Sequence, residues 1–251
     1  MLRTSFFAGI AGLLLLFASV SQGAVSTQVA ESHAGAEQPT KPIISTSLRQ
    51  RIHGCIACHG RYGQGGGSGG YAPRIGGKPA GYLYHQLLNF RDGRRVYPLM
   101  TWMVKYLPNT YMQEIADYFS RQSPPFLAPP MPMVSKATLA TGRRLATLGD
   151  PAHKVPACMA CHGKQLMGVE PDVPGLVGLS NDYISAQLGA FRQGIRTTVE
   201  PNCMGKITNR LTGVQIGAVA AWIASQPVSA GARPAPAGSV KFPLRCGSIE
   251  K

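Results

Sequence analysis

The chain has 251 residues, of which 44% are hydrophobic and only 14% charged, and it carries a formal net charge of +14. Enough apolar material is present to pack cores, which excludes a disordered chain. The length admits one large domain or two small ones at roughly 100–200 residues each. So basic a balance ordinarily points to nucleic acid, but the start of the chain excludes that partner by marking it for export.

Arg3 is followed by an apolar run from Phe6 to Val20 and then by small residues, with Ser21 and Gly23 where a signal peptidase tolerates them. Residues 1–23 therefore read as a secretory signal peptide. The run falls short of the roughly 20 residues needed to span a bilayer. With no second long apolar run, the mature protein is expected outside the cytoplasm, soluble or at most loosely membrane-associated. Residues 24–43 are rich in Ala, Ser, Pro and Gly and are expected to be mobile.

Two C-x-x-C-H motifs follow, Cys55, Cys58, His59 and Cys158, Cys161, His162. This is the attachment signature of haem c. Two thiols add across the porphyrin vinyl groups, and the adjacent histidine supplies the iron's proximal imidazole. Zinc ribbons space their cysteine pairs by about 15–20 residues and thioredoxin-like motifs need a βαβ context. Here the motifs lie 103 residues apart, in helical surroundings. Two covalently attached haem c groups are expected.

The motifs belong to a longer repeat, which must be sought before finer reading. At an offset of 101, Pro73, Ile75, Gly77, Tyr82, Gln86, Leu87, Phe90, Arg91, Gly93 and Arg95 recur as Pro174, Leu176, Gly178, Tyr183, Gln187, Leu188, Phe191, Arg192, Gly194 and Arg196. At an offset of 104, Met100, Leu107, Met112, Ile115 and Ala116 find Met204, Leu211, Ile216, Val219 and Ala220. The repeat predicts two duplicated domains, 44–122 and 137–226. It also selects the distal iron ligands. Met100 and Met103 both follow His59 at plausible distances, but Met103 pairs with Ile207 while Met100 pairs with Met204. His85, another candidate, pairs with Ala186. Met100 and Met204 are therefore the expected sixth ligands.

Each haem motif follows a short helical segment, led by Leu48 and Ile52 and by Leu145 and Leu148. Leu83, Gln86, Leu87 and Phe90 fall at i, i+3, i+4 and i+7, as do Ile184, Gln187, Leu188 and Phe191, giving an inward helical stripe in each half. Gly93 and Gly194 suit the stops of these helices. Met112, Ile115, Ala116 and Phe119 and their counterparts Ile216, Val219, Ala220 and Ile223 predict the last helix of each half, the second opened by a Thr212–Gln215 capping box. The fold expected is all-α. Residues 123–136 hold five prolines and read as a semi-rigid connector that fixes the haem spacing only loosely. Residues 227–251 form a C-terminal tail, and its Ala-, Pro- and Gly-rich part to 243 is expected to be mobile.

Residues 44–226 resemble the cytochrome c4 family, tandem class I cytochrome c domains of bacterial periplasms. The likeness rests on Ala157 to Gly163, the Pro-Gly-Leu-Val-Gly run from Pro174, the Gln-Leu-x-x-Phe-Arg-x-Gly-x-Arg stretches from Gln86 and Gln187, and the methionine-led final segments. It implies that the carbonyls of Pro73 and Pro174 accept a hydrogen bond from the proximal imidazoles, that the protein is periplasmic, and that it carries single electrons to a terminal oxidase rather than acting as an enzyme. Expected partners are redox proteins with acidic docking surfaces: a terminal oxidase, a quinol-cytochrome c reductase or a dehydrogenase. Alternatives are the cytochrome subunit of a dehydrogenase, such as a flavocytochrome sulfide dehydrogenase, and a catalytic dihaem enzyme.

Cys203 and Cys246 depart from the family pattern. In an oxidising compartment they are expected to form a disulfide pinning the tail beside Met204, contributing about 4 kcal/mol in the loop-entropy model. Cys203 as a thiolate iron ligand is the rival assignment. The charge is uneven: residues 41–122 hold eleven basic and three acidic side chains, and residues 137–226 hold eight and five. Such a surface speeds encounter with an acidic partner at low salt.

Overall fold

The computed structural model describes residues 47–66, 72–126, 130–229 and 231–249; the expected leader and the 24–43 segment lie outside them. Among the described residues the fold is helical with one short two-stranded ribbon. In the first half come α1 (Leu48–Arg51), α2 (His53–His59), α3 (Ala80–Arg91), α4 (Pro98–Val104) and α5 (Asn109–Ser120). The second half has α6 (Lys136–Thr147), α7 (Met159–His162), β1 (Gly168–Val169), β2 (Val173–Pro174), α8 (Asn181–Arg192), α9 (Cys203–Thr208) and α10 (Gly213–Ala224). No described helix is long and apolar enough to cross a membrane.

Helix starts in the second half follow from side-chain caps. The Ser135, Ser180 and Asn202 side chains accept from the amides of Thr138, Tyr183 and Gly205. Thr212 and Gln215 form the reciprocal capping box, each such cap stabilising by about 1 kcal/mol. Gly93 and Gly194, at φ +75° and +72°, stop α3 and α8 in a conformation that costs glycine nothing. The periodic stripes bury as expected. Met112, Ile115, Ala116 and Phe119 face the first core, and Ile216, Val219, Ala220 and Ile223 face the second.

The second core is the larger. Leu145 and Ala146 of α6 pack with Val219, Ala220 and Ile223 of α10, beneath Leu166, Val177 and Ile184. The helices approach so closely that a Cβ on Gly142 would collide with the Ala218 carbonyl and sit 2.7 Å from Trp222 Cβ.

The halves are joined directly, which corrects the expectation that the connector sets their spacing loosely. Arg95 and Arg196 pair across an antiparallel bridge, and each reaches into the opposite half. Arg95 Nη2 donates to Tyr183 Oη (3.0 Å) and Gln187 Oε1 (2.8 Å). Arg196 Nη2 donates to Tyr82 Oη (3.2 Å) and Gln86 Oε1 (2.9 Å). Each guanidinium also holds the glutamine of its own half and lies 4.5 Å from the ring centre of its own phenylalanine, Phe90 or Phe191. Lys78 Nζ donates to Gly175 O at 2.6 Å, and the Tyr82 amide to Pro171 O at 3.1 Å. The connector itself is docked. Arg74 donates to Pro124 O and Pro125 O and lies 3.7 Å from the Phe126 ring centre, while Phe126 packs against the second core.

The tail is fastened too, including its part to 243, expected to be mobile. Ala235 exchanges backbone hydrogen bonds with Gly168 and Glu170, Gly247 N donates to Pro201 O, and Cys203 is bonded to Cys246. Backbone pairing and one covalent bond supply what the tail's poor apolar content cannot.

Gly142 gives a direct test of the helix packing. Alanine gains about 1 kcal/mol of helix propensity, but overpacking costs about 1–3 kcal/mol. Gly142→Ala is predicted to destabilise the holoprotein by about 1 kcal/mol, read as a lower urea midpoint, and Gly142→Leu to destabilise it further.

Candidate haem sites

The first C-x-x-C-H motif lies on α2 and the second ends on α7. One helical turn places the second cysteine and the histidine on the same side as the first cysteine. His59 and His162 are both 8% exposed. His59 Nδ1 lies 2.8 Å from Pro73 O, and His162 Nδ1 2.8 Å from Pro174 O. A carbonyl only accepts, so Nδ1 carries the proton in each ring and Nε2 keeps a lone pair for a metal. Burial holds both imidazoles below their usual pKa, opposed by the proline carbonyls. At neutral pH each ring is thus a neutral ligand held in one tautomer and orientation.

Cys55, Cys58, Cys158 and Cys161 take no part in a disulfide, unlike the Cys203–Cys246 pair, so their sulfurs are left for haem.

Two short helices carry the methionines. Met100 lies on α4 with Met103 one turn further on, and Met204 lies on α9. Met103 packs over α2, where a Cβ on Gly54 would collide with its Cε. Thr208 Oγ1 donates to Met204 O at 2.9 Å.

A cavity of about 940 Å³ runs through both halves, at the top of the roughly 300–1,000 Å³ usual for a single small-molecule pocket. All twelve residues expected to serve the sites line it: the four motif cysteines, both histidines, Pro73 and Pro174, Met100 and Met204, and Cys203 and Cys246. His85 and Met103 line it as well, so lining alone does not single out Met100. His85 Nδ1 lies 3.6 Å from Asp172 Oδ1 of the other half, beyond hydrogen-bond reach, and is buried without a hydrogen-bond partner among the described residues.

The cavity wall carries a charge pattern that motif reading missed. Arg51, Arg74, Lys78, Arg95 and Arg196 line it, against one carboxylate, Asp172. Burial pushes Lys78 down to about 8 and Arg74 down to about 10, and lowers Arg196 too; neighbouring cations add to each effect. Buried charge without a counter-charge is costly, and Arg196 Nε is buried without a hydrogen-bond partner among the described residues. Haem fits this wall, because each macrocycle brings two carboxylates along with its apolar body. Arg95 and Arg196 sit in the repeat and so were visible as residues. Only the fold turns them toward the cavity.

No protein-family model matches the chain. The thiosulfate dehydrogenase electron acceptor of Thiomonas intermedia is 42% identical over 175 residues, 70% of this chain and 79% of that protein. Cytochrome c4 of Pseudomonas aeruginosa is 30% identical over 171 residues, 67% of this chain and 82% of that one. Among solved structures, reduced cytochrome c4 from Pseudomonas stutzeri superposes with a TM-score of 0.60 at 26% identity, over 70% of this chain and 95% of that one. A thiosulfate dehydrogenase from Marichromatium purpuratum superposes with a TM-score of 0.62 at 32% identity, over 69% of this chain but 36% of that longer one. With its C-x-x-C-H pairs, paired helical halves and these relatives, the chain belongs to the cytochrome c4 family of tandem class I cytochromes with two covalently attached haem c groups, electron carriers rather than enzymes.

Proposed function

We propose that this chain is a periplasmic carrier that accepts single electrons from a thiosulfate-oxidising dehydrogenase and passes them to a further redox protein, toward a terminal oxidase. In this reading His59 and Met100 would hold the first iron, and His162 and Met204 the second. The observation that carries it is the twofold recurrence, in the lining of one cavity, of a proline-oriented imidazole together with a methionine from a short helix. The choice of donor is supported by the 42% identity to a thiosulfate dehydrogenase electron acceptor.

When bound, haem supplies a one-electron iron couple. The cysteines tether it at two points, and the proline carbonyls hold each Nε2 lone pair toward the metal. The methionine thioethers would complete the iron's ligand set, leaving no position for a substrate, and would favour the reduced state. Leu83, Phe90, Ile184 and Phe191, all lining the cavity and all under 9% exposed, keep water away. Two sites match a donor that releases two electrons.

Holoprotein mixed with thiosulfate dehydrogenase and thiosulfate is predicted to be reduced at both haems, while thiosulfate alone leaves it oxidised. Reduction by thiosulfate alone would make this chain the catalyst. Absence of reduction in the full mixture would assign the donor to a quinol-oxidising complex instead. For the ligands, Met100→Ala and Met204→Ala are each expected to turn one haem high-spin and carbon monoxide-binding and to lower its potential. Met103→Leu is expected to leave both haems low-spin; a high-spin first haem in Met103→Leu would give the ligand role to Met103.

A further inference from the structure

The α4 segment is apolar on both sides. Met100, Met103, Val104 and Leu107 recur at i, i+3, i+4 and i+7 and pack inward. Leu99, Trp102 and Tyr106 recur at i, i+3 and i+7 on the opposite side and are 53%, 72% and 73% exposed. Tyr97, just before the helix, is also exposed. A helix that is hydrophobic all round belongs in an interior or against a partner, and Trp and Tyr are the side chains that most often anchor protein interfaces.

The duplication supplies an internal control. In the repeat register Tyr97 corresponds to Thr198, and Leu99, Trp102 and Tyr106 correspond to Cys203, Lys206 and Arg210. The same fold therefore forms in the second half without an aromatic stripe. There the Leu99 position is occupied by the disulfide to Cys246, and Leu244 and Ile249 of the tail line the cavity wall. One half is closed on its methionine side. The other presents aromatic rings to solvent.

Charge identifies the occupant. All three carboxylates of the first half are taken by its own arginines: Asp92 by Arg91 and Arg94, Glu114 by Arg51, and Asp117 by Arg121. The remaining cations have no acidic group in that half to oppose them. Among them is exposed Lys105, whose ammonium lies 5.1 Å from the Tyr106 ring centre. Tyr97 and Leu99 also reach the lining of the cavity that holds His59 and Met100, so a protein seated on the stripe lies against the first haem site.

We propose that the outward face of α4 and the turn that follows it, centred on Trp102 and Tyr106, is the docking surface for an acidic redox protein that exchanges electrons through the first haem. This rests on the electron-carrier reading above and assigns it an exchange face. The test uses holoprotein and plastocyanin, a small acidic copper protein, as probe, with hexacyanoferrate as a small-molecule control. The W102S/Y106S variant is expected to lose about tenfold in second-order rate with plastocyanin at low salt while its rate with hexacyanoferrate and both haem potentials stay unchanged. Lys206→Ser, the equivalent site in the second half, is expected to stay within about twofold. An unchanged plastocyanin rate in W102S/Y106S, or an equal loss in Lys206→Ser, overturns the docking surface and leaves the carrier reading standing. So does a wild-type dimer in sedimentation, or wild-type binding to phosphatidylglycerol vesicles, that W102S/Y106S abolishes, since the occupant is then a second copy or a membrane. Failure of the wild type to exchange electrons with hexacyanoferrate overturns the carrier reading itself.

Discussion

The guanidinium groups of Arg95 and Arg196, the first half-buried and the second buried between the halves, are the constraint on which the rest of the molecule depends. Taking a charge out of water costs several kcal/mol unless its donors are satisfied and a counter-charge is near. The donors are largely met by amide and phenol oxygens, arranged so that Gln86 and Gln187 each accept from both arginines. Among the described residues the counter-charge is not met, because Asp172 is the one carboxylate on a cavity wall with five lysine and arginine side chains. The carboxylates of bound haem would answer that excess. Folding, the union of the halves and cofactor binding are thereby tied to the same side chains.

From that shared centre the two halves diverge. The second has the larger apolar core, side-chain caps on α6, α8, α9 and α10, and a tail fastened by a disulfide beside Met204. The first begins α3 and α5 after prolines without side-chain caps, carries the greater charge excess and exposes its methionine helix. A duplicated carrier thus has one enclosed site and one approachable site, joined through a single lined cavity. Electron exchange with proteins and electron storage need not use the same haem.

Much of this was legible in the sequence, for identifiable reasons. Cysteine and histidine spacing is set by covalent and coordination chemistry, so Cys55, Cys58, His59 and their counterparts could be read without a fold. The 3.6-residue period located the buried faces of α3, α5, α8 and α10, and the Thr212–Gln215 box marked a helix start. Periodicity says that a side chain points inward, but not what it meets. Tyr82, Gln86 and Arg95 therefore read as parts of one half, whereas they bind across to the other. Composition misled at the connector and the tail. It counts apolar residues and is blind to Arg74 holding two proline carbonyls or to backbone pairing at Ala235.

On this view the Arg95 and Arg196 guanidinium groups each act on both cofactor sites at once. Potentials of the two haems, resolved by spectroelectrochemical titration of wild type, Arg95→Gln and Arg196→Gln, test it most directly. Loss of either cation removes charge that disfavours the oxidised iron, so both potentials should fall, by an amount on the order of tens of millivolts. A fall confined to the haem of the mutated half, or none at either haem, would contradict the account.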